Sequence, residues 1–121
     1  MFTAGSVKLP VLNAAVSTEC CAPPRRRLKG AETAVFGSLL RALSDETRLR
    51  IVALLASAKG SVCVCDIEAR FDLAQPTISH HLKVLRQADL VTTEKRGTWV
   101  YYEVNRPRID ELLNLHELLH P

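Results

Sequence analysis

The chain has 121 residues, of which 47% are apolar and 24% are charged. This balance is typical of one globular domain and argues against wholesale disorder. The net charge of +3 is too small to indicate nucleic-acid binding by itself, so the position of the positive charges matters.

No apolar run approaches the roughly 18–20 residues that a membrane-spanning helix needs. The first residues also lack the basic segment and the continuous apolar segment of a signal peptide. We therefore expect a cytoplasmic protein with no membrane partner. Thiols stay reduced in that compartment, so the four cysteines indicate metal binding or redox chemistry more than disulfides.

Residues 1–30 are predicted to form a flexible N-terminal arm, because proline and glycine recur there without a lasting period. The arm carries the pair Cys20 and Cys21, followed by the basic run Arg25–Arg27. That run is either a solvated linker or a contact to phosphate or to a helix, and both alternatives stay open. Residues 31–121 are then predicted to form one folded domain.

Helical periodicity begins near Ala31. Ser44 is predicted to cap a second helix that runs to about Ser57 and has two acids in its first turn. This second helix is apolar nearly all round, which is typical of a central buried helix. Its predicted apolar face consists of Leu49, Val52, Ala53 and Ala56.

Two further helical segments are predicted at about residues 65–72 and 75–88, separated by a turn over residues 72–76. In the second of them, Ile78, Leu82 and Leu85 recur at helical spacing and would anchor the helix to the core. The free face carries hydrogen-bonding groups that suit base edges in a major groove, and cations that suit phosphates. These candidate DNA-binding residues are Gln75, Thr77, Ser79, His80, Lys83 and Arg86. Of the neighbours His80 and His81, one is expected to face DNA and the other to pack inward.

Residues 90–104 alternate between apolar and polar side chains, with Gly97 in a turn, and this pattern predicts a β-hairpin. Val91 and Thr93 are the predicted inward positions of its first strand. Lys95, Arg96 and Thr98 at the tip would contact the DNA backbone or minor groove. Helix, turn, helix and basic hairpin together predict a mainly α protein with a small β-hairpin (α+β), a winged helix-turn-helix.

A last helix is predicted from Pro107, with an apolar stripe that would be covered by a second copy of the chain. The stripe consists of Ile109, Leu112, Leu113, His116 and Leu119. An enzyme is not expected, because the sequence has neither a glycine-rich phosphate loop nor a nucleophile elbow.

Cys63 and Cys65 in "SVCVCD" are candidate ligands for thiophilic ions, because thiolates select such ions. A position at a helix N-terminus is expected to lower a thiol pKa. Residues i and i+2 of a helix diverge by about 200°, so both sulfurs can hold one ion only if Cys63 precedes the helix. Two alternatives stay open: the thiols oxidise and sense redox state, or they are only small buried side chains.

Four segments, "ALSDETRLRIVALL", "VCVCDI", "QPTISHHLKVLRQADLV" and "RGTWVYYEVN", resemble the ArsR/SmtB family of metal- and metalloid-responsive repressors over about residues 33–115. The resemblance implies a homodimer that binds operator DNA and is released by an inorganic ion. It further implies As(III) or Sb(III) bound by Cys20, Cys21 and Cys63, with Cys65 as a possible fourth ligand. Cd(II), Pb(II) or Zn(II) is the competing set of inducers.

The resemblance also raises two points of difference. Ala74 stands where such proteins often have a capping serine, so the recognition helix is expected to lack a side-chain cap. Some members bind zinc between terminal helices, and Asp110, His116, Glu117 and His120 suggest such a site. Leu112 occupies the place of one expected ligand, so a histidine that packs in a dimer interface is the favoured interpretation.

Overall fold

The computed structural model describes residues 30–120, so the predicted arm with Cys20 and Cys21 lies outside the described residues. Helices α1, α2, α3 and α4 span Gly30–Leu43, Glu46–Ser57, Val64–Ala69 and Gln75–Gln87. Strands β1, β2 and β3 span Val62–Cys63, Val91–Arg96 and Trp99–Val104. Helices α5 and α6 span Arg106–Asp110 and Asn114–Leu119, with a 3-10 turn over Glu111–Leu113 between them.

The predicted fold class is confirmed as mainly helical with a winged helix-turn-helix, although the sheet is larger than predicted. The three strands are antiparallel in the order β1–β3–β2. The hairpin β2–β3 is the wing, and its turn residue Gly97 has φ of 64°, which only glycine adopts at little cost. The short strand β1 pairs with β3 and was not predicted, because two residues are too few to show an alternating pattern.

A single apolar core joins the helices to one face of the sheet. Its completely buried side chains are Leu39, Ile51, Leu55, Ile67, Ile78, Leu82, Leu85, Leu90 and Val91. In α2 the predicted apolar face is largely wrong, since Leu49 is 52% exposed and Ala53 and Ala56 are also exposed. The helix instead buries Ile51, Val52 and Leu55, so Val52 is the one residue of the predicted face that is buried.

The corner between α1 and α2 is fixed by Asp45 and Arg48. Asp45, and not the predicted Ser44, is the N-cap of α2, because its carboxylate accepts the Arg48 N–H at 3.1 Å. The Ser44 hydroxyl instead donates to the Arg41 carbonyl at 2.9 Å. The Arg48 guanidinium donates to the carbonyls of Ala42 at 2.7 Å and Arg41 at 3.2 Å. Arg48 therefore donates to two carbonyls near the end of α1 with its side chain, while its backbone N–H is bound by the cap of α2.

The two ends of α4 are capped differently, and only the N-terminal end was predicted from the sequence. Ala74 is the N-cap and offers no side-chain hydrogen bond, which confirms the expectation. At the C-terminus Asp89 has φ of 60°, and the N–H of Leu90 donates to the carbonyl of Leu85 at 3.0 Å. This pattern is a Schellman motif with aspartate at the position that glycine usually fills.

Three further expectations are corrected. The helix predicted over residues 65–72 ends at Ala69. Thr93 pairs with Tyr102 on the same face as Val91, yet it is exposed, because the helices cover only the first residue of β2. The terminal helix is broken by its 3-10 turn and leaves Leu113 and Leu119 exposed. Each helix within residues 30–120 is too short or too polar to cross a membrane.

Candidate DNA interface and thiol pair

The predicted recognition helix is α4, and its two faces are separated as the sequence indicates. Ile78, Leu82 and Leu85 are at most 1% exposed and fix the helix to the core. All of the candidate DNA-binding residues on α4 are exposed: Gln75, Thr77, Ser79, His80, Lys83 and Arg86. Hydrogen-bonding side chains and two cations are therefore presented together on the free side of the helix that follows the turn.

The two neighbouring histidines differ as expected. His80 is exposed, whereas the side chain of His81 is only 13% exposed. The Nδ1 atom of His81 lies 3.4 Å from the Arg48 guanidinium and 3.8 Å from the Asp45 carboxylate. The hydrogen bond from the Arg48 backbone N–H is the main reason that the pKa of Asp45 is lowered, and the charges of His81 and Arg48 add to it.

This cluster of Asp45, Arg48 and His81 was not found by sequence reasoning. It ties the corner between α1 and α2 to the inward side of the recognition helix. The only local signal was the string "SDETR", whose acid and arginine are spaced as an N-cap and its first-turn partner. The histidine is 33 residues further along the chain, so the pattern could not show that contact.

The wing residues are exposed, but they are not equivalent. Lys95 and Thr98 lie exposed at the tip of the hairpin. Arg96 is turned back over the sheet, where its guanidinium donates to Glu94 at 2.8 Å and to the Ser61 hydroxyl at 3.0 Å. The same guanidinium carbon lies 4.3 Å from the centroid of the Tyr101 ring. Of the three predicted DNA contacts in the wing, Arg96 is thus the one with side-chain contacts to other residues between 30 and 120.

The thiols of Cys63 and Cys65 lie together at the start of α3. Cys63 ends β1 and is the N-cap of α3, so it precedes the helix as the shared-ion geometry requires. The two Sγ atoms are 2.9 Å apart, with Cys63 buried and Cys65 exposed. Sulfur ligands at about 2.3 Å from a tetrahedral Zn(II) lie about 3.8 Å apart, so only a small separation of the two thiols is needed.

The expected lowering of the thiol pKa is wrong for Cys65. Its pKa is raised, first because its thiol donates a hydrogen bond to Cys63, and further because of partial burial and the nearby Asp66. The hydrogen bond outweighs the N-terminal position in the helix. The thiol is therefore held protonated until a competing ligand or base removes the proton.

The thiol pair does not complete a metal site by itself. Among residues 30–120 no group of three or more His, Cys, Asp and Glu side chains is placed to hold an ion. The rings of His116 and His120 are stacked with centroids 4.5 Å apart, but they do not join Asp110 in such a group. Two adjacent soft donors thus fit part of a thiophilic site, and a complete site would need donors from other residues or another copy.

Comparison with known proteins decides the family. Residues 45–93 match the family described as bacterial regulatory protein, arsR family. The arsenical resistance operon repressor of Bacillus subtilis (strain 168) is 42% identical over 74 residues, which are 61% of this chain and 70% of that protein. The chain belongs to the ArsR family.

Other relatives agree with this assignment. The arsenical resistance operon repressor of Staphylococcus aureus is 41% identical over 78 residues, which are 64% of this chain and 73% of that protein. The solved structure of an ArsR-like transcriptional regulator from Rhodococcus sp. RHA1 has a TM-score of 0.65 at 24% identity, covering 74% of this chain and 83% of that one. This likeness shows the shared fold. As an ArsR-family transcriptional regulator, the protein is not an enzyme.

Proposed function

We propose that this ArsR-family regulator is a repressor that binds operator DNA as a homodimer and is released when thiolates bind As(III) or Sb(III). The observation that carries the proposal is the contact of 2.9 Å between the thiols of Cys63 and Cys65. It lies at the start of α3, the helix directly before the recognition helix. Relatives named as arsenical resistance operon repressors support the choice of ion. We also infer a cytoplasmic location.

DNA recognition is assigned to α4 and the wing. The side chains exposed at the start of α4 are short and form hydrogen bonds, so they suit the base edges in a major groove. They are Gln75, Thr77, Ser79 and His80. Lys83 and Arg86 further along the helix are suited to phosphates. Lys95 and Thr98 extend the contact from the hairpin tip. Arg96 joins them only if it leaves its partners on the sheet.

Exposed apolar side chains near the C-terminus and the geometry of operator DNA support a homodimer. Leu113 and Leu119 are 73% and 66% exposed in the single chain, and both become buried if a second copy covers this face. A two-fold dimer places its two recognition helices about 34 Å apart, one turn of the DNA helix. A change in either protomer then disturbs both half-sites together.

The proposed ligands are Cys63 and Cys65 with Cys20 and Cys21 of the segment that precedes Gly30. As(III) and Sb(III) are bound by three sulfurs in this scheme. The preferred ligands are Cys20, Cys21 and Cys63, and Cys65 is the possible fourth ligand. Cd(II), Pb(II) or Zn(II), which take a fourth donor, are the competing inducers. Binding displaces the protons of the thiols that become ligands, and the proton that Cys65 donates to Cys63 is among them where Cys65 is the fourth ligand.

The experiment that tests this function is an operator titration with and without arsenite. The probe is a DNA duplex selected from random sequence for binding to the wild-type chain. Arsenite is expected to weaken binding by about 5–150-fold, the usual range of allosteric coupling. Cys63→Ser and the double change Cys20→Ser with Cys21→Ser should remove the response and leave the arsenite-free affinity unchanged. Ser57→Ala, a hydroxyl bonded only within α2, serves as the control. Arsenite binding by sulfur with unchanged operator affinity would contradict the proposal.

A redox response is the second candidate, because two thiols in contact are already close to the geometry of a bond. Hydrogen peroxide would oxidise Cys63 and Cys65 to a disulfide and be reduced to two molecules of water. Mass spectrometry of the intact chain separates the two functions. Arsenite under reducing conditions adds mass, whereas peroxide removes two hydrogen atoms, and the one that weakens operator binding is the signal.

A further inference from the structure

Arg96 lies at the centre of a set of contacts on the outer face of the three-stranded sheet. Its guanidinium donates to Glu94 through two nitrogens at 2.8 and 3.1 Å and to the Ser61 hydroxyl at 3.0 Å. It also covers the ring of Tyr101 at 4.3 Å. The side chain thus reaches across β3 from one edge strand of the sheet to the start of the other.

The strand register connects these contacts to the thiol pair. Tyr101 of β3 pairs with Cys63 of β1 on one side and with Glu94 of β2 on the other. Ser61 is the residue directly before β1, two positions from Cys63. The Arg96 guanidinium is therefore fastened at one end to the wing and at the other to the strand that holds the first thiol.

The contacts of Arg96 are exposed and hence easily broken. Its side chain is 51% exposed and that of Glu94 is 61% exposed, a setting in which ion pairs contribute little to stability. The hydrogen bond to Ser61 depends on the position of β1 relative to β3. A displacement of β1 of about 1 Å lengthens that bond beyond hydrogen-bonding distance without unfolding the hairpin.

We propose that Arg96 is a positioning residue that couples the cysteine pair to the wing through Ser61. The inference rests on the proposed function, and it names a route of regulation besides the direct connection of α3 to α4. In the ion-free protein the bond from Arg96 to Ser61 holds the wing in the orientation that suits DNA. When Cys63 exchanges its thiol contact for an ion, β1 shifts, Arg96 releases Ser61, and the wing loses that orientation.

Ser61→Ala tests the proposal, because it removes only the hydroxyl that joins Arg96 to β1. Loss of one exposed hydrogen bond should lower the operator affinity of the ion-free protein about threefold. The affinity of the arsenite-loaded protein should not change, so the effect of arsenite shrinks by the same factor. Thr92→Ala is the matched control, since its hydroxyl lies on the same face but, among the residues that the structure describes, bonds only to the Glu103 carbonyl, at 3.5 Å.

A double-mutant cycle separates this role from a direct phosphate contact. Arg96→Lys keeps the positive charge but loses the fork that spans Glu94 and Ser61. If Arg96 acts through Ser61, Ser61→Ala has no further effect in the Arg96→Lys background. Additive effects of the two changes, or an equal loss of affinity in the ion-free and loaded states, would overturn the proposal.

A second measurement needs no DNA. Trp99, the one tryptophan of the chain, is 54% exposed and pairs with Arg96 in the wing. Arsenite should change Trp99 fluorescence in the wild type and in Thr92→Ala, and change it less in Ser61→Ala. If arsenite weakens operator binding but leaves Trp99 fluorescence unaltered, this inference fails and the proposed function survives. If arsenite alters neither, both fail.

Discussion

Arg48 connects three helices of the fold, α1, α2 and α4. It satisfies the last carbonyls of α1, lies beside the α2 cap and approaches His81 on the recognition helix. Within this cluster the pKa of Asp45 is lowered, chiefly by the hydrogen bond from the Arg48 backbone. The cluster therefore links the orientation of α4 to the charge of one carboxylate.

The charge of Asp45 should make the stability of the protein depend on acid. A carboxyl whose folded pKa lies below its unfolded value of about 4 stabilises the fold above that pH. The contribution is lost as pH falls through the lowered pKa. Asp45→Asn keeps the cap but not the charge. Thermal melts should show a higher melting temperature for the wild type than for this variant at pH 7, and the difference should shrink as the pH falls below about 4.

Asp72→Asn is the control for Asp45→Asn, because it removes a carboxylate from the exposed turn between α3 and α4. Its effect reports the loss of a surface charge without the loss of a cap interaction. A gap between wild type and Asp45→Asn that stays constant from pH 7 to pH 3 would show that the charge of Asp45 does not act through this cluster.

Among the elements, α4 has the clearest weakness at its N-terminus. Ala74 has the extended backbone of an N-cap, with φ of −63° and ψ of 146°, but no side chain that can accept a hydrogen bond. Ala74→Ser supplies an oxygen to the N–H groups of the first turn and should raise the free energy of unfolding by about 1 kcal/mol. Chemical denaturation measures this difference.

Ala53→Ser provides the comparison for Ala74→Ser, because it adds the same hydroxyl to an exposed position within α2. Serine in a helix interior is slightly unfavourable, so this variant should be a little less stable than the wild type. If the two serines change stability alike, the missing cap is not the cause of any gain at Ala74.

How well each element could be predicted depends on how local its determinants are. The α4 helix was predicted almost to the residue, because its apolar spacing and Pro76 lie within the helix itself. Strand β1 was missed, since two residues become a strand only by pairing with β3. The cap of α2 was placed one residue early, because Ser44 and Asp45 are both good caps and only the Arg48 contact distinguishes them.

The candidate site follows the same rule. The residues of the exposed α4 face lie within one short segment of the sequence, and so do Cys63 and Cys65. Sequence reasoning could therefore name both sets as candidates. The engagement of Arg96 was not visible, because its partner Ser61 is 35 residues away and the two meet only through the sheet. The raised pKa of Cys65 was likewise missed, since it depends on a contact between sulfurs and not on position in a helix.

At the scale of the whole molecule, one small sheet connects Cys63 to the wing, and the core joins the sheet to the recognition helix. Cys63 belongs to β1, β1 pairs with β3, and α3 leads through a short turn to α4. A change at the thiols thus has two routes to the proposed DNA surface, one through α3 and one through the wing. Both routes lie within one protomer, so a cooperative release from two half-sites needs a firm connection between protomers.

That connection is predicted to lie in the C-terminal region, where Leu113 is 73% exposed. Burial of a leucine contributes about 1.5–3 kcal/mol, and a two-fold interface contains the residue twice. Leu113→Ala should therefore raise the dissociation constant of the dimer by about 100-fold or more, as measured by sedimentation equilibrium. Leu73→Ala, an exposed leucine in the turn before α4, is the control and should leave the dimer intact. Operator affinity of the Leu113→Ala protein should fall with dilution as dimers separate, and an unchanged dimer would place the interface elsewhere on the surface.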